Sequence, residues 1–285
     1  MTVTDTGFAD RYGPWALVAG ASEGVGAAYA RAMAERGLNV VLLARREHVL
    51  GEVAAAIRTD TGVEARAVAV DLASPDAVST IVDATSGLDV GMLMYCAGAD
   101  ANYEPFLANG VDVAVGMVQR NCIAPMRLCH HYAGLMAGRR RGGIVLVSSG
   151  AGLAGGANMV AYSASKAFDM VMAEALWAEL HTTGVDVLGL VLSVTDTPAL
   201  RRLLAKRGVI ATADDITPIA GATTAEDTVA EALANLTNGP TWFVGESFRE
   251  SEGQLRSMSR NDVVKAMLQA AGGIMGDDKA AEVAS

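Results

Sequence analysis

Tyr162 and Lys166 stand four residues apart in AYSASKAF, a spacing that on a helix sets a phenol and an ammonium side by side on one face. A cation beside a phenol favours the tyrosinate form, so such a pair can give a proton to an alkoxide or take one from an alcohol. No other tyrosine in the chain has a lysine four residues on. By itself the pair is equally compatible with an ordinary exposed ion contact on a helix, and its meaning depends on what else the sequence sets around it.

A second chemical signal is the turn AGASEGVG, which follows the apolar run WALVA and opens a helical stretch. Gly20, Gly24 and Gly26 allow a tight turn and close approach of backbone to a pyrophosphate, whose charge suits the free N–H groups of a helix N-terminus. Read alone, the cluster also fits a tight strand-to-helix turn. The second apolar run ends in LLARRE, where an acidic residue would be expected to bond the ribose 2′-hydroxyl of NAD. The chain has Ala44, Arg45 and Arg46 there, and a guanidinium matches a 2′-phosphate in charge and shape. The expectation is NADP(H) over NAD(H), with Arg45 the foremost phosphate ligand. Glu23, inside the glycine turn, would oppose a phosphate if it pointed inward.

The elements that must position these groups are legible as short apolar runs alternating with stretches of helical period. Strands are expected at 15–19, 39–43, 65–70, 91–95, 143–148, 185–192 and 241–244, the pattern of a parallel sheet with helices on both faces. Gly37 is placed to end the first long helix, and a helix over 160–182 carries Tyr162 and Lys166. The segment 194–222 breaks the rhythm and is a candidate substrate lid. Beyond the last strand, Val263, Val264, Met267, Leu268 and Ala271 form an apolar stripe at helical spacing, and the tail from Gly272 is small and polar.

With 285 residues, 51% of them hydrophobic, the chain can bury a full core. A net charge of −10 argues against nucleic acid or an anionic membrane as partner. There is no signal-like N-terminus and no apolar run long enough to span a bilayer, so a soluble cytoplasmic protein is expected. Cys96, Cys122 and Cys129 lack paired spacing and read as packed, reduced thiols, and the four histidines offer no metal-ligand pattern.

Further residues fall at defined intervals: Asp71 after the third strand, Ala97-Gly98 after the fourth, Asn121, and Ser149 thirteen residues before Tyr162. In this order and spacing the chain, from about residue 12 to 248, resembles the short-chain dehydrogenase/reductase family. The resemblance implies a single doubly wound α/β Rossmann domain over 1–285 with about seven parallel strands, a catalytic core at 12–248, and a C-terminal helical extension at 254–285. It implies Tyr162 as acid or base, Ser149 holding the substrate oxygen, Lys166 on the nicotinamide ribose and Asn121 holding a relay water. The implied cofactor cleft comprises Gly20, Ser22, Glu23, Gly24, Val25, Gly26, Arg45, Arg46, Asp71, Leu72, Cys96, Ala97, Gly98, Tyr162, Lys166, Thr195 and Thr197. For Ser148, a backbone-bonded strand-end hydroxyl is expected.

The chain departs from the family at Ala19, where Thr is usual, at Tyr95-Cys96 in place of Asn-Asn, and at Leu192-Ser193 in place of Pro-Gly. The opening RYGPWALVAGASEGVG, the segment AEALWAEL and the C-terminal extension resemble the branch containing 3-oxoacyl and 17β-hydroxysteroid reductases. That implies interconversion of a lipophilic ketone and its secondary alcohol, with no metal. Two rivals stand beside it: an NAD-dependent alcohol dehydrogenase, and a catalytically silent dinucleotide sensor, which the departures favour and the intact Asn121, Ser149, Tyr162 and Lys166 oppose. Helices around 108–137 and 160–182 resemble those through which the family forms homodimers and homotetramers.

Overall fold

Parallel strands covered on both faces must be apolar at nearly every position, and that requirement is met along β1 (Trp15–Ala19), whose five residues are all buried. The computed structural model describes residues 6–275, beginning with α1 (Thr6–Tyr12) ahead of β1. Then follow α2 (Gly24–Glu35), β2 (Asn39–Ala44), α3 (Glu47–Thr61), β3 (Ala65–Ala69), α4 (Ala77–Ala84) and β4 (Val90–Tyr95). The second half runs through α5 (Val111–Val118), α6 (Ala124–Arg139), β5 (Gly142–Ser149), α7 (Val160–Leu180) and β6 (Val185–Leu192). It continues with β7 (Thr195–Asp196), α8 (Pro198–Lys206), β8 (Thr223–Thr224), α9 (Ala225–Ala234), β9 (Thr241–Phe243), α10 (Glu246–Arg256) and α11 (Arg260–Met275).

Seven strands form one parallel sheet in the order β3-β2-β1-β4-β5-β6-β9, and β7 pairs with β8 apart from it. All seven expected strands are present, with ends within a residue or so of the sequence reading. The two-residue period of a strand divides the core. Ala16 and Val18 face a cluster with Tyr29, Met33, Leu50 and Ile57 from α2 and α3, while Leu17 and Ala19 face one with Ile81, Leu128 and Tyr132 from α4 and α6. Each fully buried large aliphatic side chain stabilises the fold by about 1.5–3 kcal/mol. Gly37 follows α2 at φ +84 and donates to Ala34 O, as a helix-ending glycine does.

The chain passes from β1 to β2 on one side and reaches β4 on the other, so strand order reverses between β1 and β4. A crevice opens at the carboxyl ends of the strands at such a point, and the glycine turn and Ala97-Gly98 both lie there. The 194–222 segment is less irregular than its composition suggests: it holds β7 and α8 before an open stretch from 207 to 222. The C-terminal stripe lies on α11, with Val263 buried, Val264 and Met267 half-buried and Leu268 exposed. The helix runs past Gly272 to Met275; the side chain of Ala271 and residues 276–285 of the expected extension lie outside the described residues. No helix among the described residues is long and apolar enough to cross a membrane.

Candidate active site

The glycine turn is pinned to the end of β2, because the N–H groups of Gly20 and Ala21 both donate to Leu43 O, at 2.8 and 3.1 Å. Gly26 sits where α2 crosses back over the turn, and a Cβ there would lie 2.1 Å from Gly20 O. Backbone cannot yield that far, so Gly26→Ala is expected to lower unfolding free energy by about 1–3 kcal/mol in urea denaturation and to weaken dinucleotide binding alongside. Val25 is buried beneath the turn. Glu23, at the N-cap of α2, makes no side-chain cap bond, which leaves the first N–H groups of α2 for another acceptor.

Glu23 turns instead to two arginines. Arg46 Nη2 donates to its Oε2 at 2.6 Å and to Ser22 Oγ at 3.3 Å, and Arg202 on α8 donates to the same carboxylate, at 3.0 Å to Oε2. Partial burial works against the Glu23 charge, but bonds from Arg202 and Arg46 outweigh it and hold the carboxyl below its ordinary value. The carboxylate expected to repel a phosphate is therefore already neutralised, and Arg46 is the arginine joined to the turn. Arg45 is exposed and acts on Arg120, as does Asp71. Asp71 accepts a bond from Ala73 N at 3.1 Å, and Leu72 beside it is buried.

The proton-transfer candidates meet on the other side of the crevice. Lys166 is 4% exposed, and its Nζ donates to Val147 O at 2.8 Å and to Asp169 Oδ2 at 2.9 Å. Burial works against the Lys166 charge, and attraction to Asp169 and Tyr162 more than offsets it, so its ammonium is held above the ordinary lysine value. Ser148 donates to Lys166 O at 2.6 Å, the backbone bond expected of it, and Ser149 at the end of β5 accepts from Ala151 N at 3.2 Å.

Asn121 is fully buried on a π turn (119–123) that joins α5 to α6. Its Nδ2 donates to Gly98 O at 3.1 Å and to Ser165 Oγ at 2.9 Å, and its Oδ1 accepts from Arg120 Nε at 3.0 Å. A π turn frees backbone carbonyls from the α ladder. Tyr95, where the family has Asn, spends its buried hydroxyl on Arg120 O within that turn, so the substitution is coupled to the local geometry. Gly98, at φ +134, closes the group: a Cβ there would lie 3.0 Å from Asn121 Cγ and 3.1 Å from Lys166 Nζ. Gly98, Asn121 and Lys166 thus pack against one another, and Lys166 is acted on by Tyr162, one turn earlier on α7. Cys96 is pushed up to about 12 by burial and stays a thiol.

The 194–222 segment is tied across the crevice. Thr195 Oγ1 lies 3.5 Å from Thr223 Oγ1, and Thr197 caps α8 by accepting from Leu200 N at 3.2 Å. Gly24 packs on Thr197, and Lys206 reaches Glu104 at 3.0 Å, while Arg207 lies over the Tyr103 ring at 4.7 Å. An open cleft lined by Glu104, Phe106, Met117, Met159 and Tyr162 lies beside these ties. From the C-terminal helices, Phe248 meets Gly150 and Arg260 donates to Leu153 O, so α10 and α11 bound the loop after β5. No group of side chains among the described residues is suited to a metal ion.

Sequence reasoning missed Asp169, Arg120 and Arg202. Asp169 had a signal, since Tyr162, Lys166 and Asp169 fall at i, i+4 and i+7 on one helical stripe. Arg202 had none, because only the fold brings α8 to the glycine turn.

A family model described as short chain dehydrogenase matches residues 14–208. The chain belongs to the short-chain dehydrogenase/reductase family and is an oxidoreductase acting on CH–OH and C=O groups with a nicotinamide dinucleotide. It is 33% identical over 261 residues to 7β-hydroxysteroid dehydrogenase of Clostridium sardiniense, covering 90% of this chain and 95% of that one. A solved structure from work on 7β-hydroxysteroid dehydrogenase stereoselectivity superposes with a TM-score of 0.83 at 31% identity, covering 91% of this chain and 98% of that one. A short-chain dehydrogenase from Sphingobium yanoikuyae in complex with NADPH gives a TM-score of 0.71 at 25% identity, covering 86% and 96%. The glycine turn, with its close Gly26–Gly20 approach and open N–H groups on α2, fits the dinucleotide.

Proposed function

We propose that this enzyme interconverts a lipophilic ketone of the hydroxysteroid class and its secondary alcohol, with NADP(H) preferred over NAD(H). The observation that carries the reading is the packing of Gly98, Asn121 and Lys166 against one another, with Tyr162 acting on Lys166, in the crevice that also holds the glycine turn. Residues that would hold the cofactor are Gly20, Ser22, Gly24 and Gly26 at the pyrophosphate, Arg45, Arg46 and Asp71 at the adenosine end, and Lys166 with Thr195 and Thr197 at the nicotinamide end. When bound, the nicotinamide supplies or accepts hydride, chemistry no side chain can perform. Ser149 and Tyr162 hold the carbonyl oxygen, where negative charge develops. Tyr162 gives it a proton, and Lys166 stabilises the phenolate left behind. Asn121, locked at both ends of its amide, fixes the π turn against α7 and thereby the backdrop to that proton transfer.

Arg46 and Ser22 support the NADP preference. Arg46→Ala is expected to weaken NADPH binding about ten- to a hundredfold, the loss of a charge-assisted bond, and to leave NADH binding near its starting value; calorimetry with both cofactors checks it. For the substrate class, NADPH oxidation is followed across 7-oxosteroids, 17-oxosteroids, 3-oxoacyl thioesters and small alicyclic ketones. Turnover on the steroids supports the reading, and tight NADPH binding with no turnover on any member favours a sensor. The whole chain is read as one catalytic domain with α10 and α11 packed on its substrate side. Val111 and Val115 on α5 and Val171 on α7, all exposed, support a homo-oligomer.

A further inference from the structure

Asp169 is a carboxylate with almost no access to water: its side chain is 2% exposed. Its Oδ2 takes one N–H of Lys166 at 2.9 Å, and its Oδ1 has no hydrogen-bond partner among the described residues. A buried carboxylate with half its acceptors unmet costs several kcal/mol unless a cation stands next to it. It sits on the same stripe of α7 as Tyr162 and Lys166, so the three form a row of phenol, ammonium and carboxylate. The Lys166 ammonium has three N–H donors. Val147 O and Asp169 take two of them, leaving one to serve the phenol and the cofactor.

The groups facing this row settle its charge. Tyr95 on β4 is held protonated by burial, and the thiols of Cys96 after β4, Cys122 on the π turn and Cys129 on α6 are all pushed up by burial, to about 12, 11 and 12. Arg120 on the π turn is the remaining cation acting on Lys166, and Asp169 is the carboxylate that acts on it. The ammonium that faces Tyr162 along α7 is therefore held between Asp169, which attracts it, and Arg120, which opposes it.

We propose that Asp169 is a positioning residue that works through Lys166: it aims the ammonium and offsets its charge, keeping Tyr162 in the proton-donating form that carbonyl reduction needs at neutral pH. A chain with an uncharged residue at this position would expose the phenol to an undiluted positive charge and favour the tyrosinate base that alcohol oxidation needs. The inference rests on the roles proposed for Tyr162 and Lys166.

The test reads tyrosinate directly and needs neither cofactor nor substrate. Near-ultraviolet difference titration of the parent against Tyr162→Phe isolates the ionisation of Tyr162, and the same pair is then titrated in an Asp169→Asn background, where the near-isosteric amide still accepts from Lys166. The expected result is a midpoint lower by about one pH unit or more, the size of losing one buried charge several ångströms away. The acid limb of the pH profile for oxidation of a 7β-hydroxysteroid with NADP+ moves in the same direction, and Asp169→Glu restores both. If Asp169→Asn does not fold well enough to titrate, Asp169→Ala is measured in its place. A midpoint that stays put, or rises, overturns the proposal. Retained turnover in Tyr162→Phe overturns the underlying assignment instead, whatever the Asp169 titration gives.

Discussion

Tyr162→Phe is expected to lower kcat by about a hundred- to ten-thousandfold, the range that a positioned general acid supplies, while the dissociation constant for NADPH moves by less than about threefold. The reason lies in what the phenol touches. Tyr162 is half-buried in the cleft wall and partly packed on Tyr103, Met159 and Leu203, a set of contacts that the Phe ring keeps. Removing the hydroxyl therefore deletes the proton and the hydrogen bond to the developing oxyanion and little else. Steady-state kinetics on the best ketone of the panel, paired with calorimetric titration of NADPH, separates the two quantities. A variant within tenfold of the parent would mean that another group carries the proton, and that the row on α7 is structural.

Lys166→Met is the second large effect, and it damages stability as well as turnover. Asp169 is 1% exposed and relies on Lys166 for its charged partner. Deleting one member of a buried pair strands the other, at a cost of about 3–5 kcal/mol. The pH dependence has a defined sign. Burial already pushes the Asp169 carboxyl above its ordinary value, with Lys166 opposing; without Lys166 the folded value rises further above the unfolded one. A group of that kind favours the folded state at low pH and ceases to as pH rises, so the deficit is small near pH 4 and grows above it. Urea denaturation across pH reads this directly. The double variant Lys166→Met/Asp169→Leu, with no stranded charge, recovers most of the lost stability but none of the activity. Recovery of neither would show that the pair is not the source of the deficit.

Much of the scaffold was legible because its causes are local. Continuous apolar runs such as WALVA and VDVLGLVL can be satisfied only by strands covered on both faces, and they became β1 and β6 with their boundaries as expected. Gly20 and Gly26 were legible because a missing Cβ marks close backbone approach, and Gly98 through the family resemblance; each has backbone or a site side chain within about 3 Å of where that Cβ would stand. Ser148 was legible for the same kind of reason, a strand-end hydroxyl next to an available carbonyl. Less was legible where the sequence showed composition without contacts: the Thr- and Pro-rich 194–222 segment holds a strand and a capped helix that a local reading did not separate.

By itself the sequence determined the sheet, the glycine turn and the Tyr162–Lys166 pairing on one helix face, because strand burial, glycine geometry and helical spacing act over a few residues; Asn121 and Ser149 were singled out by the family resemblance. Only the tertiary structure decided the charges around them. Glu23 met Arg46, next to it through the β1–β2 pairing, and Arg202, from α8 far along the chain, and so changed from an obstacle to a phosphate into the anchor of two arginines. Asp169 lay within reach of the helical repeat, but nothing local said that it would be sealed from water behind Lys166. Burial is a property of the packed whole, and it is burial that turns an ordinary ion pair on a helix into a control on proton transfer.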